Sequence, residues 1–257
     1  MTAVAVHHRL DGPPDAPALV LAGSLGTTAD IWQPQLAALG RSWRVVRYDQ
    51  RGHGGSPVPA GPYRIDELGE DLLALLDRLR LGRVDVAGLS LGGMVGMWLA
   101  AHAADRVHRL ALLCTSVRLG PPETWQERAA TVRAHGTAAI ADMMMGRWFT
   151  AGFGRRNPEA VAWARQMLTG IPAEGYAGCC EAIAAMDLEP QLGRIDAPTL
   201  VVAGSSDPAT PVEHAERIAA GVPGARLAVV DAAHLANVEQ PELVTELLTG
   251  FFAGGAG

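Results

Sequence analysis

Sulfur is scarce in this chain: its 257 residues hold 3 cysteines, Cys114, Cys179 and Cys180. An odd count with one adjacent pair gives no disulfide framework, so a small stapled scaffold is excluded and the thiols are expected to pack as small hydrophobes. No run reaches the ~20 apolar residues that a membrane-spanning helix needs. The N-terminal stretch to Asp11 carries His7, His8 and Arg9 and lacks the continuous apolar core of a signal peptide. Basic blocks are also missing, and the net charge is −6. That speaks against a nucleic-acid surface and against a polybasic membrane patch. There is no internal repeat, and only residues 253–257 are of low complexity, a tail expected to fray. The expectation is a soluble, cytoplasmic protein, without nucleic acid or membrane as partner. The oligomeric state is left open.

What is present is a globular composition, 49% hydrophobic and 19% charged. A chain of this length can bury roughly three quarters of its unfolded surface, so it needs no staples. Short Val- and Leu-rich runs at residues 18–22, 44–48, 84–88, 107–114, 200–204 and 227–230 end in Gly, Asp or similar breakers and read as buried strands. Helical spacing falls between them. Leu68, Leu72, Leu75, Leu76 and Leu79 form one stripe, with Asp66, Glu70, Asp71 and Asp77 largely off it. Residues 92–102, 212–220 and 241–252 are further helices. Such alternation predicts an α/β fold, a mostly parallel twisted sheet with helices on both faces. Between residues 118 and 194 no strand pattern appears, while Trp125, Trp148, Trp163 and several methionines do. We read this span as a helical cap insertion between two parts of one core, residues 1–117 and 195–257.

Gly88-Leu89-Ser90-Leu91-Gly92 joins the strand at 84–88 to the helix at 92. G-x-S-x-G in that setting is the sharp turn that lifts a nucleophilic serine above an α/β-hydrolase sheet. Its glycines leave room where a Cβ would collide. Ser90 is therefore the candidate nucleophile. It needs a base, and the base needs an orienting acid, in the chain order Ser, Asp or Glu, His. Asp207 follows the strand at 200–204, and His234 follows the strand at 227–230. Asp231 is the rival acid, but it stands at the end of the strand that bears the histidine. Two backbone N–H groups should hold an oxyanion, one from Leu91 and one from Leu25 in the Gly23-Ser24-Leu25-Gly26 loop. The segment from Tyr48 to Gly54 is a further strand-end loop, expected to be structural, with Asp49 and Arg51 pinning it and His53 outside the chemistry.

At this point the pattern narrows. Ser24-Leu25-Gly26-Thr27-Thr28 with Trp32, Arg47 through Gly54, Gly61-Pro62-Tyr63, Gly88 through Met94 and Glu123 through Arg128 resemble the 3-oxoadipate enol-lactonases. So do Arg147-Trp148-Phe149-Thr150, Glu174-Gly175-Tyr176-Ala177 and Asp231 through Pro241. The family usually has Asn where this chain has Gly23. The resemblance implies opening of the enol-lactone of 3-oxoadipate by water, a step of aromatic catabolism in the β-ketoadipate pathway, with no metal or organic cofactor. It implies a substrate with a free carboxylate, for which Arg128, Arg133 and Arg147 are candidate partners. Trp125, Met145 and Trp148 are candidate pocket walls. The triad alone leaves open another carboxylesterase, a perhydrolase, a carbon–carbon bond hydrolase, or a binding or cyclase protein that keeps the triad.

Overall fold

The computed structural model describes residues 3–254, so the end of the tail expected to fray lies outside the described residues. Its elements run β1 (His8–Asp11), β2 (Ala18–Ala22), α1 (Gln33–Leu39), β3 (Arg44–Tyr48), α2 (Ile65–Arg78), β4 (Val84–Leu89), α3 (Leu91–His102) and β5 (Val107–Leu113). Five helices follow without a strand: α4 (Pro122–His135), α5 (Ala141–Trp148), α6 (Ala151–Arg156), α7 (Pro158–Thr169) and α8 (Ala173–Ala185). Then come β6 (Thr199–Gly204), α9 (Val212–Gly221), β7 (Arg226–Val230), α10 (Ala236–Glu239) and α11 (Pro241–Phe252).

The strands form one sheet in the order β1-β3-β2-β4-β5-β6-β7. All neighbours are parallel except β1 with β3. Central strands β4 and β6 are buried at every position, which is why they read as unbroken apolar runs. The edge strands β1 and β7 alternate or are half exposed. β1 is the strand that sequence patterning does not mark. Leu10 on it is 47% exposed, so its place is fixed by backbone pairing to β3 and by the Asp11–Arg47 ion pair at 2.8 Å, not by burial.

The chain leaves β2 for β3 on one side and returns to β4 on the other. The carboxyl ends of β2 and β4 therefore diverge at a switch point, where a crevice opens in sheets of this kind. The loop after β2 carries Leu25, and the turn after β4 carries Ser90. On α2 the leucine stripe at 68, 72, 75 and 76 is buried as expected. Asp71 departs from expectation. It is buried and grips Arg51 through two hydrogen bonds of 2.6 and 2.8 Å, pinning the loop after β3 to the helix. Among the helices between β5 and β6, α4 packs chiefly along α8.

Candidate active site

Ser90 sits between the last residue of β4 and the first of α3 with φ 54° and ψ −114°. That backbone is strained for any residue with a Cβ, and a surrounding structure must hold it. Here the Ser90 amide donates to the Leu113 carbonyl at 2.8 Å, and the Ser90 carbonyl accepts from the Gly93 amide at 2.8 Å and the Thr115 hydroxyl at 2.7 Å. A Cβ on Gly88 would collide with the Gly92 carbonyl, and one on Gly92 with the Ala22 carbonyl. The glycines of the motif are thus required by close backbone packing on both sides of the turn.

The Ser90 Oγ lies 2.9 Å from Nε2 of His234, and Nδ1 of the same ring lies 2.7 Å from Oδ2 of Asp207. All three side chains are buried. Asp207 also accepts from the amides of Ala209 (2.7 Å) and Thr210 (3.1 Å) and from the Thr210 hydroxyl (2.7 Å). Burial pushes its carboxyl up, but the His234 charge and these hydrogen bonds outweigh burial and hold it below the usual carboxylate range. An acid that stays ionised next to Nδ1 fixes that nitrogen as the donor and leaves Nε2 free to accept the serine proton. Asp231, the rival acid, is exposed, and among the described residues its side chain accepts only a 3.5 Å bond from Ser205.

The loop after β2 is held from below. The Gly26 amide donates to Nε2 of His53 at 3.0 Å, and Nδ1 of His53 donates to the Arg51 carbonyl at 3.1 Å. This fixes the tautomer. Burial keeps His53 neutral, lowering its pKa to about 4 against weaker upward pulls from the Arg51 carbonyl and Asp49. Asp49 accepts from the Ala29 amide at 2.7 Å and the Gly55 amide at 2.9 Å, so it ties the same two loops together. Among the described residues, the amides of Leu25 and Leu91 have no backbone acceptor. They are free to bind an oxyanion. At Gly23 a Cβ would stand 3.0 Å from the Thr27 hydroxyl, which itself donates to the Ser24 carbonyl at 2.8 Å. Here a larger residue would have to displace Thr27.

Ser90, His234 and Leu25 line a cavity of about 40 Å³ together with Trp125, Arg128, Met144, Arg147 and Trp148. Two expected pocket residues are elsewhere. Met145 is buried and does not line the cavity, and Met144 takes the wall. On a helix only i, i+3 and i+4 share a face, so the face that presents Arg147 and Trp148 presents Met144. Arg133 is held by Glu174 at 2.8 Å and Glu181 at 2.5 Å on the outer side of α4, and does not reach the cavity. His53 was placed outside the chemistry by its motif, and its hold on the oxyanion loop becomes visible only through the Gly26 contact.

Residues 17–241 match the family model of the alpha/beta hydrolase fold, and the chain belongs to that fold family. It is 43% identical over 93% of its length to 3-oxoadipate enol-lactonase 2 of Acinetobacter baylyi, of which it covers 90%. The crystal structure of the enol-lactonase from Burkholderia xenovorans superposes with a TM-score of 0.96 at 42% identity, covering 97% of each chain. A malate-bound thermophilic esterase from Thermogutta terrifontis gives 0.92 at 30% identity, over 97% of this chain and 93% of that one. Within the fold, this chain belongs to the family of the 3-oxoadipate enol-lactonases.

Proposed function

We propose that this protein opens the enol-lactone of 3-oxoadipate by water through an acyl-enzyme on Ser90. The observation that carries the mechanism is the unbroken chain Ser90–His234–Asp207, with bonds of 2.9 and 2.7 Å, facing the same cavity as Leu25. The Ser90 Oγ attacks the lactone carbonyl while Nε2 of His234 takes its proton. Asp207 steadies the imidazolium that forms. The Leu25 and Leu91 amides bind the oxyanion, aided by the N-terminus of α3. Collapse of the adduct breaks the ring C–O bond and releases an enol, which takes the proton and tautomerises to the ketone while still tethered to the acyl chain. An enol is a better leaving group than an alkoxide. Water, deprotonated by His234, then attacks the acyl-enzyme and frees the acid and Ser90. These steps call for side chains and amides of this chain alone.

Helices α4 to α8 act as a cap in this reading, with Trp125, Met144 and Trp148 as walls around the acyl chain. The cysteines are free and buried, in keeping with a reducing cytoplasm. The test is hydrolysis of 3-oxoadipate enol-lactone by the purified protein beside Ser90→Ala. Turnover that falls by about 10⁴-fold or more in the variant supports the reading. Ser90-dependent cleavage of a simple aryl ester with no lactone turnover would keep the machinery and reject the substrate.

A further inference from the structure

A second cavity lies away from Ser90. It holds about 420 Å³, against about 40 Å³ above the nucleophile, and falls in the size range of small-molecule sites. It opens between α2 and α3 of the core on one side and the end of α8 with the turn at Glu189–Arg194 on the other. Its floor is apolar: Ile65, Ala182, Met186 and Leu188 are all buried. Trp98 forms one end. Gly69 lets the Trp98 ring close onto α2, since a Cβ there would collide with it, and His102 stacks on the same ring with centroids 4.6 Å apart. The walls above this floor are rich in acceptors. The side-chain carbonyl oxygen of Gln191 is buried and has no hydrogen-bond partner among the described residues. His102 donates from Nδ1 to the Trp98 carbonyl at 2.9 Å, which leaves Nε2 as an acceptor. Glu70 is exposed and has no partner among the described residues. Asp66 and Asp187 add two more carboxylates. Against them stands one guanidinium, Arg64, which already donates to Asp66 at 3.0 Å.

A buried carbonyl without a donor is costly, and carboxylates in excess of cations gather positive charge. We propose that this groove is a second binding site, and that it takes a small primary ammonium carried on a flat apolar body, an arylalkylamine in chemical class. The three ammonium donors match the Gln191 carbonyl and the carboxylates, with Glu70 the freest of them. The apolar body covers the floor from Ile65 to Leu188. Among the described residues no three His, Cys, Asp or Glu side chains are placed to hold a metal ion, so the carboxylates suit an organic cation better than an inorganic one. Ala182 lines this groove, and Ile183, the next residue of α8, lines the cavity above Ser90. A ligand here therefore rests on the helix that also walls the site of chemistry. The proposal stands apart from the lactonase reading and uses none of its residues.

Isothermal titration calorimetry at neutral pH with 2-phenylethylammonium, 2-phenylethanol and 3-phenylpropanoate tests it on the whole chain. The ammonium should bind once per chain with a Kd of about 1 mM or tighter, and the alcohol and the carboxylate at least about tenfold more weakly. Glu70→Gln and Gln191→Leu should each weaken the ammonium by about tenfold, since each takes away an acceptor of its charge. Ala185→Trp fills the groove from the exposed side of α8 and should abolish binding. Glu70 and Ala185 are exposed, so these two variants report on a folded chain even if Gln191→Leu does not. Turnover of an aryl ester without added amine should stay at the wild-type level in the folded variants and confirms that the triad is intact in them. No binding of the ammonium at ~10 mM, equal binding of the alcohol, or an affinity that moves in none of the variants overturns the proposal.

Discussion

Glu239 offers a sharp test of how the base is positioned. Its carboxylate, half-buried at the end of α10, accepts from the Ala233 amide at 3.1 Å, the Thr150 amide at 3.2 Å and, through its other oxygen, the Thr150 hydroxyl. The Leu235 amide donates to the Trp148 carbonyl at 3.0 Å. The loop that carries His234 is therefore stapled on both sides of the ring to the end of α5, whose last turn lines the cavity. Glu239→Ala strands two backbone N–H groups. Each costs about 1–3 kcal/mol when left without an acceptor, and partial access of water places the sum at the low end, about 2–3 kcal/mol. For a domain of this size that lowers Tm by about 4–12 °C. The base also loses its fixed register, and kcat should fall about tenfold, equivalent to ~1.4 kcal/mol at the transition state. Glu239→Gln should recover most of this. The amide oxygen can accept both N–H groups while its NH₂ donates to the Thr150 hydroxyl, leaving a loss of about 1 kcal/mol for the missing charge. Thermal unfolding followed by circular dichroism, with kcat on an aryl ester, reads both effects. An Ala variant that melts and turns over like the wild type, or a Gln variant as impaired as the Ala variant, would refute the reasoning.

Removing the imidazole in His53→Leu takes away the acceptor of the Gly26 amide and loosens the Leu25 donor. We expect kcat to fall by about 10- to 100-fold, less than the loss of a whole oxyanion donor, with KM nearly constant; a raised KM at unchanged kcat would point to substrate binding instead. Asp207→Asn should lower kcat by about 10³- to 10⁴-fold, because the wrong ring nitrogen then carries the proton. The same residue has a pH signature. Its folded pKa lies below the ordinary value, so its contribution to stability is present above about pH 4 and is lost as pH falls through the lowered folded value. The stability gap between wild type and Asp207→Asn, from urea midpoints, should shrink on acidification from about pH 6 to pH 3. A constant gap across that range would count against the coupling.

How much of this was legible in the chain depends on whether a position is fixed locally or by a distant partner. The buried strands were legible because β2, β4, β6 and β5 from Leu110 onward are buried on both faces and need apolar residues there. Once strands are parallel, their carboxyl ends share one edge, so any residue just past a strand end is placed by topology alone. That is how Ser90, Asp207, His234 and Leu25 could be assembled from residues far apart in sequence. β1 was not legible because backbone pairing at an edge leaves no apolar signature. Asp71 reads as a surface acid until Arg51, 20 residues away, is seen to reach it. Arg128, Arg133 and Arg147 read alike, and only the rotation of α4 and α5 against the core separates two cavity residues from one bound on the outside by Glu174 and Glu181. The choice of Met144 over Met145 is a matter of one step, ~100°, around a helix, which periodicity within so short an element does not decide. His53 and Glu239 show the same limit from the other side. Their motifs were visible, but a motif names only neighbours in sequence. The groups they hold, the Gly26 amide 27 residues away and the Thr150 amide 89 residues away, belong to other loops. Residues proposed to do chemistry stand just past strand ends, where topology alone places them, whereas residues that hold their loops are defined by contacts between loops, and those required the folded chain.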